Sequence, residues 1–278
     1  MCQRSRPVSP LCEKRIRKNL AADAHTLLAS LVVADVLSST NDQVLDLLRN
    51  ARQKYVASVA NQQLQGRGRN GRSWQSPAGA NIYLSVGCCL PASDAIALNG
   101  LSLACGVAVA RILSELGVEA VIKWPNDILV ADRKLAGILI ETRIKKDSML
   151  LVVGLGVNLS MPASVADKID QPWTDLQQIL GSTDARVERN RLVAHLLDGL
   201  IMACETFRQS GFASFREDWD RYDLLRGRQV LINGGKDDLQ ARVLGIAEDY
   251  ALKIEVDGVE KKLYAGDVSL KLKYHAGH

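Results

Sequence analysis

The sequence predicts an α+β protein, in which a mixed sheet with packed helices is followed by a small all-β unit. Up to about residue 224, runs rich in β-branched residues alternate with segments whose apolar residues recur at helical spacing. The tail from Arg226 instead holds short alternating strands between "NGG", "ED" and "DG" turns, and Asp257–Gly258 is a strong hairpin signal. We therefore expect an N-terminal helical extension over residues 1–31, a main domain over 32–224 and a small β domain over 225–278.

The beginning of the chain predicts two helices with a strand between them. Residues 13–31 carry apolar side chains near one helical face, and a strand is expected directly after them. The second helix is expected over 42–51. Its N-terminal cap can come from any of three consecutive polar residues, Ser39, Thr40 or Asn41.

The middle of the chain predicts the strands of the sheet. Apolar runs with alternating or continuous patterns mark them, and a rigid Pro–Asn turn joins two of the shortest. The expected strands cover 55–63, 80–90, 121–123, 128–130, 135–144 and 148–159. One long helix is expected over 94–116, and amphipathic helices without obvious chemistry are expected over 187–220.

Composition excludes several classes of protein. The net charge of +4 is too mild for a protein that coats nucleic acid. Six cysteines form no C-x-x-C pair and four histidines no H-E-x-x-H pattern, so we expect free thiols and no metal-ligating residues. Asn99 interrupts the most apolar stretch, 95–113, which is too short for the roughly 20 residues of a membrane span. Since the N-terminus also lacks an apolar signal region, we expect a cytoplasmic protein that makes no membrane contact.

Three polar islands stand between the predicted strands. They are "SSTN" at 38–41, "QQLQGRGRNGRSW" at 62–74 and "KWPNDILVADRKLAGIL" at 123–139. In the second island, glycine lets backbone N–H groups approach a ligand and arginine offers a charged planar fork. That combination predicts close binding of an anion such as phosphate. Each island alone also has a plainer interpretation: a helix cap, an RNA-binding or solvated loop, and a rigid turn.

Together and in this order, the islands resemble the biotin–protein ligase family. Five motifs of that family occur in this sequence. They are the [DS]STN helix start at 39–41, the GRGRxGRxW loop at 66–74, the KWPND turn at 123–127, the KLAGIL strand at 134–139 and the G-x-G-x-N strand end at 154–158. The sequence departs from the family pattern at Ser38, where an acidic residue is usual, and at Asn70. The resemblance covers roughly residues 32–275.

The resemblance implies a fold and a reaction. A catalytic domain like that of class II aminoacyl-tRNA synthetases would be followed by an SH3-like β-barrel. ATP, with Mg²⁺, would convert the biotin carboxylate to biotinyl-5′-AMP, and biotin would then pass to a lysine of a biotin carboxyl carrier protein, a subunit of acetyl-CoA carboxylase. Two anions must meet in this reaction, and the arginines of the loop would cancel their repulsion. Because such a dense cationic loop repels itself when it is empty, we expect it to be disordered without ligand and to close over the adenylate.

The same resemblance assigns roles to individual residues. Lys134, Arg67 and Asp127 are expected to take part in catalysis: Lys134 would contact the biotin carboxylate and the α-phosphate, and Asp127 would orient the incoming lysine or accept its proton. The residues expected to bind biotin are Ser39, Thr40, Asn41, Gln63, Gly66, Arg67, Lys134 and Gly137. The residues expected to bind ATP or the adenylate are Arg67, Arg69, Arg72, Trp74, Lys123, Asn126 and Asn158. Trp74 has two interpretations, an adenine platform or a staple from the loop to the core.

Two alternative functions remain open. A lipoate–protein ligase would share the fold and the adenylate chemistry, although the GRGRxGRxW loop and the KWPND turn favour biotin. A non-catalytic nucleic-acid-binding protein would use the GRGR loop and the basic N-terminus instead. Because only 38 residues precede Ser39, too few for a winged helix, we expect neither DNA binding nor repressor function. The sequence leaves monomer and homodimer open.

Overall fold

Two sheets organise the molecule. The computed structural model describes residues 9–49, 55–98, 100–181, 188–233, 239–264 and 269–272. The strands of the larger sheet are β1 (Leu28–Leu37), β2 (Tyr55–Gln63), β3 (Asn81–Pro91), β4 (Val121–Lys123), β5 (Asp127–Val130), β6 (Arg133–Lys145) and β7 (Ser148–Asn158). They lie in the order β1-β2-β3-β7-β6-β5-β4, with β1 and β2 parallel and the other neighbours antiparallel. The predicted mixed sheet is confirmed.

Helices cover both faces of this sheet. They are α1 (Glu13–Lys18), α2 (Ala22–Leu27), α3 (Thr40–Leu47), α4 (Leu101–Glu115), α5 (Leu176–Leu180), α6 (Arg189–Ser210) and α7 (Arg216–Tyr222). Val44 and Leu48 form a small apolar cluster with Val56 and Val152 on the face that α3 covers. Val153, the next residue of β7, belongs to the main core, which includes α4 and α6. Since successive strand side chains point to opposite faces, the sheet is a central layer with its larger core on the α4 and α6 side.

The expected single helix over 13–31 is wrong, because the chain forms two short helices, α1 and α2, and the last part of the range is a strand. Helical residues end at Leu27, and β1 begins at Leu28. The strand pairs in parallel with β2, so its backbone groups are bonded across the sheet. The apolar residues at 28–33 fit a helix or a strand by their spacing, and pairing with a distant segment decides between the two.

The expected single helix over 94–116 is also wrong. The chain forms a 3₁₀ helix at Ala92–Leu98, and α4 starts only after Gly100, which has a φ of 90°. A side chain at Gly100 would lie 2.6 Å from the ring of Tyr250, so glycine allows both the left-handed backbone and the close approach. The helix expected over 42–51 is α3, which starts earlier, at Thr40. The last residues of that expected range lie outside the described residues.

The C-terminal region forms the expected all-β unit. Its strands are β8 (Gln229–Asn233), β9 (Leu239–Ile246), β10 (Leu252–Val256), β11 (Val259–Leu263) and β12 (Ser269–Leu272). They pair antiparallel in the order β11-β10-β9-β8-β12, consistent with an SH3-like β-barrel. Asp257 and Gly258 both have positive φ, as the predicted two-residue hairpin turn requires. The glycines of the expected NGG turn lie outside the described residues.

Contacts behind the KWPND turn join the two units. Trp124 donates its indole N–H to the backbone oxygen of Tyr250 over 3.2 Å. The Tyr250 ring lies over Gly100 and makes an edge contact with Phe212, with 5.5 Å between ring centroids. The turn between β4 and β5 is thereby fastened to the C-terminal sheet.

Candidate active site

A cavity of about 880 Å³ opens where the start of α3, the loop after β2 and the segment after β7 meet. Every residue expected at the site lines this cavity except Gly66. Gly66 instead allows close packing within the loop, because a side chain there would lie 2.5 Å from the Ser76 hydroxyl and from the Trp74 backbone oxygen. The fold therefore brings the three polar islands of the sequence together at one cavity.

The side chains around the cavity form two groups with different chemistry. The amide end comprises the hydroxyl and amide side chains of Ser39, Thr40, Asn41 and Gln63. The cationic end comprises Arg67, Arg69, Arg72, Lys123 and Lys134. The first group can bond to an uncharged polar ligand group and the second to an anion, so the cavity suits a ligand that has both.

At the amide end, a neighbouring strand caps α3. Ser39 occupies the cap position with an extended backbone, but its side chain makes no capping hydrogen bond. Gln63 on β2 accepts the Thr40 N–H through Oε1 at 2.8 Å instead. Gln63 Nε2 donates to the Ser76 hydroxyl at 3.2 Å, which fixes the orientation of the amide. Ser39, one of the three expected caps, thus occupies the cap position, but the capping side chain comes from Gln63, which the local sequence does not indicate.

A buried hydrogen-bond network supports the amide end. Ser85 on β3 is 0% exposed, and its Oγ lies 2.7 Å from Thr40 Oγ1 and 2.6 Å from Asn41 Oδ1. Asn41 Nδ2 donates to Glu141 Oε2 at 2.6 Å. Gly154 on β7 makes room for this arrangement, because a side chain there would lie 2.3 Å from Asn41 Oδ1. The first glycine of the G-x-G-x-N strand end is therefore explained by the packing of Asn41.

The loop of glycine and arginine forms a short hairpin. The Gly68 N–H donates to the Arg72 oxygen at 2.7 Å, and the Trp74 N–H donates to the Gly66 oxygen at 2.9 Å. Gly71 has a φ of 71° near the tip, which glycine adopts without strain. The structure describes one arrangement of this loop, and its expected disorder without ligand stays a prediction.

Carboxylates of the protein hold the first arginine of the loop. The terminal nitrogens of Arg67 donate to the two oxygens of Asp42 at 2.8 and 2.7 Å, and Nη2 lies 3.4 Å from Glu141 Oε2. The hydrogen bond from Arg67 lowers the pKa of Asp42, and the same bond raises the pKa of Arg67. Arg69 is oriented differently, because its Nη1 donates to the uncharged Asn126 Oδ1 at 3.2 Å. Arg67 is thus positioned before any ligand anion arrives.

Lys134 is held in the same way by Asp127. Its Nζ lies 2.7 Å from Asp127 Oδ1 and 5.3 Å from the ring centroid of Trp74. Burial lowers the pKa of the nearby Lys123, and the positive charge of Lys134 lowers it further against the opposing effect of Asp127. Lys123 is thus a partly buried cation with other cations nearby, and such a cluster attracts anions.

Two glycines on adjacent strands make space for the Trp74 ring. A side chain at Gly156 on β7 would lie 2.5 Å from the indole, and one at its strand partner Gly137 on β6 would lie 3.2 Å from it. The indole Nε1 is buried and has no hydrogen-bond partner among the residues that the structure describes. The ring therefore staples the loop to the sheet and also lines the cavity, while its use as an adenine platform stays a prediction.

The segment after β7 was missed by sequence reasoning. Residues 168–173 line the cavity. The Lys134 N–H donates to the Pro172 oxygen at 2.9 Å, and the Lys134 oxygen accepts the Thr174 N–H at 3.0 Å. Asn158 donates through Nδ2 to the Thr174 oxygen at 3.0 Å, so its observed contact holds this segment, and its expected contact with adenine stays a prediction. A tryptophan beside a proline in a polar stretch was the signal available in the sequence.

Comparison with known proteins places this cavity in a family. Residues 33–158 match the model of the biotin/lipoate A/B protein ligase family, a range that contains every residue expected at the site. The chain is 38% identical over 267 residues to the bifunctional ligase/repressor BirA of Salmonella typhimurium, covering 95% of this chain and 80% of that protein. The chain belongs to the biotin–protein ligase family.

Other members of the family show the same likeness along most of the chain. The biotin–[acetyl-CoA-carboxylase] ligase of Mycobacterium tuberculosis is 32% identical over 278 residues, with 96% of this chain and 98% of that protein covered. The solved structure of the biotin protein ligase from Aquifex aeolicus in complex with biotin and ATP matches with a TM-score of 0.70 at 27% identity, covering 88% of this chain and 99% of that one. The predicted biotin ligase fold is confirmed.

Two further observations bear on this member of the family. Among the described residues, no group of three or more His, Cys, Asp or Glu side chains is arranged to hold a metal ion. None of the described helices combines the length and the apolar character of a membrane span.

Proposed function

We propose that this chain is an ATP-dependent biotin–protein ligase, which forms biotinyl-5′-AMP and then joins biotin to a lysine of a biotin carboxyl carrier protein. One observation carries the proposal: a single cavity joins the buried amide end to the cationic end. Biotin has a ureido group at one end and a carboxylate at the other, and ATP adds further negative charge. Membership of the family and the Aquifex relative's complex with biotin and ATP support the same assignment.

The amide end binds the ureido group in this proposal. Ser39, Thr40 and Gln63 offer hydroxyl and amide groups for its oxygen and its N–H groups. The Trp74 ring, held on the strand glycines, offers an apolar wall for the thiophane ring. The burial of Ser39 and Thr40 at about 5% exposure or less makes an unpaired polar group costly, so this end favours a ligand that bonds to both.

The first chemical step takes place at the cationic end. A carboxylate oxygen of biotin attacks the α-phosphorus of ATP, and the bond from that phosphorus to pyrophosphate breaks. Negative charge develops on the phosphate oxygens, and we assign Lys134 and Arg67, which line the cavity, to stabilise it. Both cations would exchange part of their contact with Asp127 and Asp42 for contact with the ligand.

The second step transfers biotin to the carrier protein. The neutral amine of the carrier lysine attacks the acyl carbon, AMP leaves with the bonding electron pair, and the amine loses a proton. Asp127 lines the cavity and is assigned to orient that amine or to accept its proton. Its present partner, Lys134 at 2.7 Å, would then interact with the departing phosphate.

Mg²⁺ fits this reaction as an ion carried by ATP. The carboxylates that line the cavity are Asp127, Asp132 and Asp170. Asp127 is paired with Lys134, and Asp132 lies 3.5 Å from Arg228, the residue before β8. The phosphate oxygens of ATP would supply ligands for Mg²⁺, and the ion would partly neutralise their charge.

An assay of both steps tests the proposal. The protein is incubated with ATP, Mg²⁺, biotin and a biotin carboxyl carrier domain, and the carrier is probed with streptavidin, while pyrophosphate release is measured without carrier. We expect biotin-dependent pyrophosphate release and a labelled carrier. Lipoylation with no biotinylation would favour the lipoate alternative, and neither product would overturn the proposal.

Three finer parts of the proposal concern the setting of the enzyme. We assign catalysis to residues 32–224 and a supporting role to residues 225–278, and we place the enzyme in the cytoplasm, in line with the free thiols among the described cysteines. We assign no DNA-binding role. Specific binding to a DNA duplex that persists at high salt would contradict that last assignment.

A further inference from the structure

Proton counting fixes the direction of hydrogen bonds beneath the amide end. Asn41 Nδ2 lies 2.6 Å from a carboxylate oxygen of Glu141, which accepts only, so Asn41 Oδ1 is the atom that faces Ser85. An amide oxygen cannot donate, and therefore the single Ser85 proton lies between Ser85 and Asn41, 2.6 Å apart. Ser85 then has no proton left for its second partner.

The second partner of Ser85 is Thr40, and the same count applies there. Their oxygens lie 2.7 Å apart, so the proton between them must come from Thr40. Thr40 Oγ1 also lies 3.0 Å from Gln63 Oε1, which accepts the Thr40 N–H at 2.8 Å and has a second lone pair for a hydroxyl. Two oxygens with no proton between them repel each other more strongly at 2.7 Å than at 3.0 Å. The Thr40 hydroxyl therefore donates to Ser85 and not to Gln63.

We propose that Ser85 is a positioning residue that keeps Thr40 a hydrogen-bond acceptor toward the ligand, so that the amide end selects a ligand group presenting N–H over an isosteric group presenting oxygen. Thr40 lines the cavity, whereas Ser85 is 0% exposed and does not touch a ligand. This inference rests on the proposed function, because it concerns how Thr40 recognises the ureido group of the proposed substrate.

The selection arises from the cost of reversing the network. If Thr40 donated to a ligand oxygen, one of the two short contacts of Ser85 would be left without a proton. Such a contact is buried beneath the cavity floor, where no solvent can rearrange to relieve it. Without the Ser85 hydroxyl, Thr40 can turn its proton toward either Gln63 or the ligand, and the preference for N–H weakens.

The test uses ligands that differ by one donor. Binding of biotin is compared by calorimetry, without ATP, with binding of the two cyclic carbamate analogues in which one or the other ureido N–H is replaced by a ring oxygen. For the wild-type chain we expect weaker binding of the carbamate whose oxygen faces Thr40. In Ser85→Ala, the affinity for biotin divided by the affinity for that carbamate should fall by about tenfold, within the range for one buried unpaired contact.

Ratios within one variant separate selection from stability. Ser85→Ala leaves Asn41 without a donor and lowers stability, but a purely structural role would weaken both ligands alike and leave the ratio unchanged. Ser85→Thr, which keeps the hydroxyl, should restore the wild-type ratio. Ser85→Cys, close in volume and a weak donor, should lower the ratio in the same direction and serves if the alanine variant does not fold.

The outcomes distinguish this inference from the proposed function. A wild-type chain that does not bind biotin overturns the proposed function. A wild-type chain that binds biotin, with unchanged ratios for both carbamates in the folded alanine or cysteine variant, overturns the role of Ser85 and leaves the ligase proposal intact.

Discussion

At the amide end of the cavity, Thr40 and Asn41 are buried, and both contact the Ser85 hydroxyl. At the cationic end, Arg67 and Lys134 are partly exposed, and each pairs with a carboxylate of the protein. The geometry of the amide end is set before a ligand arrives, because hydrogen bonds within the protein orient Thr40, Asn41 and Gln63. The cationic end is held in place by charges that a ligand anion would have to replace. Recognition of an uncharged group and activation of an anion thus use two different structural solutions within one cavity.

The largest effect is expected from removing the central cation. Lys134→Ala removes the ammonium group beside the forming acyl phosphate and leaves Asp127 unpaired in the cavity wall. We expect biotin-dependent pyrophosphate release to slow by a factor that corresponds to about 2–4 kcal/mol. Arg133→Ala, at the exposed neighbouring position, is the control and should keep near-normal rates. Near-normal release by Lys134→Ala would contradict the assigned role.

A smaller loss is expected from filling the space that Trp74 occupies. In Gly156→Ala the new methyl group would lie 2.5 Å from the indole, so the ring must leave the sheet and the loop loses its staple. Overpacking of this kind costs about 1–3 kcal/mol, and we expect biotin affinity to fall accordingly. Gly106→Ala, where the methyl group would meet Ile122 at an ordinary 3.5 Å, is the matched control. Unchanged affinity and unchanged tryptophan fluorescence in Gly156→Ala would refute the staple.

Proteolysis of the loop should show how far the cationic end depends on its ligand. A protease that cuts after arginine can cleave at Arg67, Arg69 and Arg72. We expect rapid cleavage without ligand, partial protection by biotin and the strongest protection by biotin with ATP, because the adenylate engages apolar and anionic partners together. Protection should change by severalfold and should be weaker in Arg67→Ala. Equal cleavage rates in all ligand states would mean that the loop does not close over a ligand.

The smallest effect is expected from the buried lysine of the cationic end. Burial lowers the pKa of Lys123, so its charged form is less stable in the folded chain than in water. Lys123→Met should therefore raise the unfolding midpoint by about 2–4 °C while it weakens the binding of ATP. Lys145→Met, at an exposed position, should change neither quantity.

The sign of the pH dependence checks this last expectation. Between the lowered pKa of Lys123 and the ordinary value of 10.5, the unfolded chain binds the proton more tightly than the folded one. The stability of the wild-type chain therefore rises relative to Lys123→Met as the pH increases through that window, and the advantage of the substitution shrinks. An advantage that grew with pH would be incompatible with burial as the cause.

Local patterns predicted some parts of the molecule closely. The run "YVASVANQQ" predicts a strand with the bounds of β2, Tyr55–Gln63, because its residues favour a pleated, buried position. The hairpin at Asp257–Gly258 follows from the turn that these two residues favour. By contrast, the spacing of apolar residues could not assign 28–31 to β1, since that assignment depends on pairing with β2, which lies elsewhere in the sequence.

The candidate site shows the same division. Its residues were found through their motifs, but their partners were not. Asp42 follows the STN motif directly, yet its pairing with Arg67 spans 25 positions, and Asn41 meets Glu141 across 100. Such contacts arise only when α3, β2 and β6 are brought together, so no pattern in a single sequence predicts them. The segment 168–173 was missed for the same reason, because its place at the cavity comes from backbone bonds to Lys134.

The bond between Trp124 and Tyr250 also gives the cavity an order of completion during synthesis. All the residues expected at the site lie between positions 39 and 158, and they leave the ribosome well before Tyr250 does. At about 5–20 residues per second, the gap corresponds to several seconds in which the KWPND turn lacks its fastening. A stop codon just before position 250 would therefore spare every residue expected at the site and still leave the turn that carries Lys123 and Asp127 without its support from the C-terminal sheet.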